Sequence, residues 1–213
     1  MNIIIELIVS YWYMFVVYFI VLWLKSPRGK GAVGELFVNG STKLMLDPDR
    51  YRIFTDVTLP TKDGTTQIDQ IIVSRYGIFV VETKHYSGWI FGSAEQKTWT
   101  QKFPRSSFKF QNPLHQNYKH VRTLGELLSL DTERLFSVVV FIGEYTFKTS
   151  MPPNVTNTRG MYDFVKSKTH MIFTQDEVVE ICDSIESGRL ERSRKTNREH
   201  IKHVKKIIST KGM

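Results

Sequence analysis

TQIDQIIVSRYGIFVVETK, running from Thr66 to Lys84, reads as two strands folded on a tight turn. Ser74-Arg-Tyr-Gly77 is the turn, and β-branched residues crowd both arms. With the centre of the hairpin between Arg75 and Tyr76, opposed residues have numbers that add to 151. Asp69 then faces Glu82, and Gln67 faces Lys84. Side chains alternate along a strand, so Asp69, Glu82 and Lys84 share one face. Opposed Cβ atoms lie about 4.5–5.5 Å apart. Two carboxylates held that close repel unless a cation sits between them. Such a local cost marks a functional site, and paired oxygen ligands suit Mg²⁺ or Mn²⁺. Lys84 is placed to orient an attacking water or help deprotonate it. The bland alternative for the same residues is a solvent-facing hairpin with its charges paired.

Outward from this hairpin, Tyr51 to Leu59 predicts a preceding strand, joined through the polar turn Pro60–Gly64. Gly88–Gly92 and Thr98–Gln101 predict short strands. Asn112-Pro113 starts a helix whose stripe Leu114, Val121, Leu124 and Leu128 carries it to about residue 129. Leu135–Ile142 is continuously apolar, as in a strand buried on both faces. Strand, helix and strand in that order predict an α/β sheet with a crossover. A short helix at Met161–Lys166, a strand at His170–Phe173 and a helix at Gln175–Ile185 follow. Upstream, Val33, Leu36, Phe37, Leu44 and Met45 predict an amphipathic helix with Glu35 near its start, placed to supply a third carboxylate.

From Ile3 to Leu24 the chain is apolar save for Glu6, long enough for a bilayer core of about 30 Å. Lys25, Arg28 and Lys30 follow at once. The excess of cations on that flank predicts a single-pass anchor, with the amino terminus outside and the rest in the cytoplasm. The expected division is an anchor over residues 1–25, a linker over 26–31, a domain over 32–186 with its motif core at 32–145, and a basic helical tail over 187–213. In that tail Ile201, Val204 and Ile208 recur on one side.

The formal net charge of +8 favours nucleic acid or anionic lipid as a partner. The lone Cys182 excludes an intrachain disulfide and a multi-cysteine zinc site. Lys119, His120 and Arg122 form a basic stretch on the Asn112 helix, a candidate contact for phosphate, although solvated helix surface is the better explanation. Trp89 and Trp99 are read as core in preference to base-stacking platforms, and Ser106 and Ser107 lack a recognisable base partner.

Gly34-Glu35, Gln67-Ile-Asp69, Tyr76–Lys84, Gly88–Gly92, Trp99-Thr-Gln101 and Asn112-Pro113 with Gln116, taken as one ordered series over residues 30–145, resemble the NERD (nuclease-related) domain. That family is placed in the PD-(D/E)xK restriction-endonuclease-like superfamily. The resemblance implies a mixed central sheet flanked by helices. It also implies metal ligation by Asp69, Glu82 and the Thr83 carbonyl, with Lys84 as the catalytic lysine, Glu35 as the helix carboxylate and Gln101 as a further polar residue of the site. The expected function is metal-dependent hydrolysis of phosphodiester bonds, with DNA as substrate, at a membrane face. A catalytically silent module that binds nucleic acid or protein there is the alternative.

Overall fold

The computed structural model describes residues 3–62 and 64–191, and for residues 3–10, 27 and 28 the backbone alone. Helices α1 (Ile3–Lys25) and α2 (Pro27–Met45) lead into strands β1 (Tyr51–Thr61), β2 (Gly64–Ser74) and β3 (Gly77–His85). Strands β4 (Gly88–Phe91), β5 (Thr98–Phe103) and β6 (Ser106–Gln111) precede helix α3 (Pro113–Leu128). After one 3₁₀ turn come β7 (Leu135–Ile142), β8 (Tyr145–Phe147), β9 (Val155–Thr156), α4 (Thr158–Ser167) and α5 (Gln175–Gly188).

The strands form two sheets, in the orders β1-β2-β3-β7-β9 and β6-β5-β4-β8. The expectation of one central mixed sheet is therefore corrected to two. In the larger sheet β1, β2 and β3 run antiparallel, and β7 and β9 lie parallel to β3. Leu135–Ile142 is the predicted strand residue for residue, and its alternation feeds two cores. Val138 and Val140 join Ile72, Phe79 and Val81 against Val38 of α2 and Met161 and Val165 of α4. Val139 and Phe141 turn the other way, onto Ile90 and Trp99 of the second sheet. Beside them Ile71, Val73, Ile78 and Val80 pack on Val121 and Leu124 of α3 and on Val178, Ile181 and Ile185 of α5. Each such side chain contributes about 1.5–3 kcal/mol when fully buried, so the sheet is fixed mainly by these three clusters.

Two further expectations are corrected. The stretch read as a linker, 26–31, is helical: the Ser26 hydroxyl caps α2 by accepting the Gly29 N–H at 3.1 Å. Proline at the first helical position was taken as a breaker, and it is also a helix starter. Residues 170–173 form no strand; the Ile172 and Phe173 amides donate instead to the Arg75 carbonyl, at 2.8 and 3.1 Å. The tail is described as far as Glu191, where the Leu190 amide donates to the Thr58 carbonyl at 2.9 Å. Ile201, Val204 and Ile208 lie outside the described residues.

α1 exposes every large apolar side chain from Tyr11 to Leu24. Among the described residues no helix is long and apolar enough to cross a membrane. Side chains of α1 are described over residues 11–25 alone, about 22 Å of helix against the roughly 30 Å of a bilayer core.

Asn112 joins the loop between β4 and β5 to α3. Its Nδ2 donates to the carbonyls of Ser93, Ala94 and Gln96 at 3.1, 3.1 and 2.7 Å, and its Oδ1 accepts the Leu114 N–H at 2.9 Å. Asn112→Ala removes the cap of α3 and the fully buried side chain that ties the β4–β5 loop to it. It is expected to cost about 2–4 kcal/mol in urea denaturation followed by tryptophan fluorescence; a loss below about 0.5 kcal/mol would contradict this account.

Candidate active site at a parted hairpin

Paired residues of β2 and β3 obey the expected register from Ser74↔Gly77 to Gln70↔Val81. The ladder stops there, one step short of Asp69 and Glu82. The β1–β2 ladder is interrupted in the same row, passing from Thr55↔Gln70 to Val57↔Ile68. Asp56 would face Asp69 there, and its backbone sits at φ 54°. That left-handed conformation costs a residue other than glycine about 1–2 kcal/mol, and aspartate bears it better than most. Beyond the break, Val57 and Ile68 pack into the same core as Ile71 and Val73, so the outer ends of both strands have rotated. Gln67 consequently never faces Lys84; its amide donates to the Asp56 carboxylate.

Three acids thus occupy one row across three strands. The Asp69 Oδ2 accepts the Thr83 N–H at 2.7 Å, replacing the ladder bond that the departing strand withdraws. A strand residue directs its N–H and C=O to the same edge, so the Thr83 carbonyl opens on the Asp69 side. Glu82, almost wholly buried, turns to α3. Its Oε1 takes Lys84 Nζ at 2.6 Å and Gln116 Nε2 at 2.6 Å, while Gln116 Oε1 accepts from Lys84 Nζ at 3.0 Å, closing a ring of three side chains. Its Oε2 faces His120 Nε2 at 3.2 Å, and neither atom makes a hydrogen bond. The other nitrogen of that ring, Nδ1, lies 2.8 Å from the Thr66 hydroxyl.

α3 owes its position to Asn117, whose Nδ2 donates to the Val80 carbonyl, the Ser137 hydroxyl and the Val138 carbonyl at 2.8, 2.9 and 3.1 Å. α2 is fixed by a second polar set: Thr42 donates to Gln70 Oε1 at 3.1 Å, and Gln70 Nε2 donates to Asn39 Oδ1 at 2.7 Å. Gly34 lets this helix come close, since a Cβ there would lie 2.2 Å from Ile142 Cδ1. Glu35 is thereby carried into the field of the other acids, from the third turn of α2 and not, as expected, near its start.

The electrostatics split the four groups. Burial, then Glu82 and Glu35, push the Asp69 carboxyl well above the usual aspartate range. Burial, then Glu82 and Asp56, raise Glu35. Burial acts against ionised Glu82 too, but Lys84 and His120 outweigh it and hold its carboxyl low. Burial likewise opposes the Lys84 ammonium, and Glu82 and Asp69 more than offset it, so the amine stays charged. Lys84 is therefore a charged amine beside two buried acids, which suits it to orient and stabilise.

Gln101 lines the same cleft as Lys84, with its Nε2 donating to the Ser87 carbonyl at 2.8 Å. His120 is displaced from the expected phosphate-contacting surface to the Glu82 side of α3, whereas Lys119 and Arg122 are exposed and Arg122 pairs with Glu126 at 3.5 Å. Trp99 is core, and Trp89 is partly exposed beneath Lys148. Asp56 is the residue the sequence reading missed. A hairpin register for β1–β2 centred on the turn at residues 62–63 would have set it opposite Asp69.

Among the described residues no three of His, Cys, Asp and Glu converge closely enough to enclose a metal ion as they stand. The donor set nevertheless fits a hard cation that retains several waters. Asp69 and Glu82 supply carboxylates, the Thr83 carbonyl opens beside them, and Glu82 Oε2 is buried without a hydrogen bond.

Two mixed sheets between helices, with carboxylates and a lysine at the mouth of a split hairpin, define a class of α/β domain seen in nuclease folds. The chain belongs to the nuclease-related domain family, NERD, whose match covers residues 30–142, and with it to the PD-(D/E)xK restriction-endonuclease-like superfamily. It is also 34% identical over 183 residues to an uncharacterized protein of Bacillus anthracis, covering 84% of this chain and 85% of that one.

A carboxyl with a raised folded pKa binds its proton more tightly folded than unfolded. Its stabilising contribution is complete below the unfolded value, near 3.8 for aspartate, and is lost as pH rises through the folded value. Asp69→Asn keeps an acceptor for the Thr83 N–H and removes the charge. Without divalent cation it is expected to raise the thermal midpoint at pH 8, the gain shrinking towards pH 4. A gain independent of pH would refute mutual repulsion among the acids.

Proposed function

We propose that this protein is a metal-dependent nuclease held at a membrane, hydrolysing phosphodiester bonds, with DNA as its substrate. The observation that carries the reading is the parted row: Asp69, the Thr83 backbone and Glu82 at one break, with the Lys84 ammonium 2.6 Å from Glu82. Membership of a nuclease-related family supports it.

In this reading Asp69, Glu82 and the Thr83 carbonyl hold Mg²⁺ or Mn²⁺, which supplies Lewis-acid activation of water and of the scissile phosphate. Lys84, kept charged by its acidic neighbours, orients the attacking water and donates to a phosphate oxygen as negative charge builds there. Gln116 keeps the lysine from collapsing further onto Glu82, and His120 braces the far oxygen of that carboxylate. Glu35, whose carboxyl is pushed upward by burial and by Glu82 and Asp56, is suited to take a proton. Gln101 lies beyond Lys84 along the cleft, in position to touch the substrate. The expected test is cleavage of plasmid and oligonucleotide DNA with Mn²⁺ or Mg²⁺. Asp69→Ala and Lys84→Ala should each lower the rate by about 10²-fold or more, and chelation should abolish it. Equal cleavage by all three proteins would end the assignment. Salt-sensitive binding without turnover would favour a silent binding module instead.

The membrane tether rests on α1, a helix from Ile3 to Lys25 whose large apolar side chains from Tyr11 to Leu24 are all exposed. An all-round apolar helix needs a protein core or a lipid environment, and among the described residues none buries the side chains from Tyr11 to Leu24. The basic flank at Lys25 and Lys30 puts the catalytic domain on the cytoplasmic side. The full chain is expected to stay in the pellet after alkaline carbonate extraction of membranes; release into the supernatant would rule the tether out.

A further inference from the structure

The two lysines that flank α1 also line the cleft that leads to Lys84. Lys25 ends α1, and Lys30 lies in the first turns of α2. Together with Tyr86, Gln101 and Phe103 they bound a space of about 490 Å³ that reaches the candidate active site at Lys84. No carboxylate lines it. Cations along a groove with aromatic rings at its wall are the chemistry of a nucleic-acid strand, whose phosphates pair with ammonium groups and whose bases lie on rings.

The corner that brings the lysines together is built, not incidental. The Ser26 hydroxyl donates to the Trp23 carbonyl at 2.5 Å and accepts the Gly29 N–H at 3.1 Å. The backbones close so tightly that a Cβ on Gly29 would lie 2.0 Å from the Trp23 oxygen. Only glycine fits there, and α2 must turn back beside the end of α1. That turn sets Lys25 and Lys30 on the rim of one cleft instead of on a straight helix pointing away from the domain.

We propose that Lys25 and Lys30 form a phosphate-binding subsite for the strand being cut, holding the substrate backbone next to the scissile bond. The proposal rests on the nuclease reading and adds to it which residues seat the strand. Both lysines serve as substrate-positioning groups, and topology is a second use of the same charges.

The test uses the full chain in nanodiscs of neutral lipid and a fluorescein-labelled oligonucleotide, with chelator present so that binding is read without cleavage. Lys25→Gln/Lys30→Gln is expected to weaken binding about 10-fold or more. It should also flatten the plot of log affinity against log salt by about 1.4–1.8, two phosphate contacts' worth. Lys25→Arg/Lys30→Arg should restore both. In the cleavage assay with Mn²⁺ the Gln pair should raise KM and leave kcat close to wild type. Lys43→Gln/Lys166→Gln, which removes two exposed charges that do not line the cleft, should leave the slope unchanged. An unaltered slope in the Lys25/Lys30 pair, or an equal change in the Lys43/Lys166 pair, overturns the subsite while wild-type cleavage leaves the nuclease reading standing. If the Gln pair loses affinity for anionic-lipid vesicles and keeps its affinity for the oligonucleotide, the lysines serve headgroup phosphates and the proposal fails. A wild type that neither binds nor cleaves any nucleic acid overturns both readings together.

Discussion

The hydrogen bond from the Thr83 amide to the Asp69 carboxylate governs the geometry of the site. When β2 leaves β3 after Gln70↔Val81, the next inward-facing amide of β3 loses its ladder partner. A buried N–H without an acceptor costs about 1–3 kcal/mol. The side chain of Asp69 satisfies it at 2.7 Å, so the residue that stands at the split also makes the split tolerable. The rest follows from that exchange. β1 tracks β2 through the same row only by placing Asp56 at positive φ, and the outer halves of both strands rotate away. Glu82, paired with Val139 of β7 but not with β2, turns its side chain toward α3. A cleft opens where a continuous sheet would have been.

Helices brace the opened sheet from both faces with polar side chains, at positions where apolar ones would pack more simply. Gln116, Asn117 and His120 lie on the inward side of α3, and Asn39 and Thr42 on that of α2. Such groups are expensive to bury, and the bonds they make narrow the geometry, although Asn117 Oδ1 and His120 Nε2 make none. The carboxylates therefore remain close in spite of their repulsion: the backbone around them is held by bonds that do not relax to accommodate charge. Burial first, and then the neighbouring carboxylates, push Asp69 and Glu35 upward in that setting.

Much of this was legible in the chain itself. The hairpin register, the crossover through α3, the strand Leu135–Ile142 and the grouping of Asp69, Glu82 and Lys84 come from period, turn chemistry and the cap at Asn112. What escaped has physical causes. The end of the β2–β3 ladder is set by side chains replacing backbone partners, which strand alternation does not encode. Asp56 passed as an ordinary polar strand residue because its importance lies in a row shared with two other strands. His120 was assigned outward by its polarity, although 116, 117, 120, 121 and 124 form one helical stripe. The strands β6 and β8 are short and half exposed, leaving little apolar pattern to read. Ser26-Pro27 was taken for a break, when it is a cap and a first turn.

In the proposed reading, the tight turn at Gly29 joins the tether to the groove that Lys25, Lys30 and Lys84 line. Trimming the chain near residue 31 to obtain a soluble fragment would strip one wall from the groove along with the apolar helix. Such a fragment could keep its acids in place and still be a poor catalyst for want of a grip on its substrate.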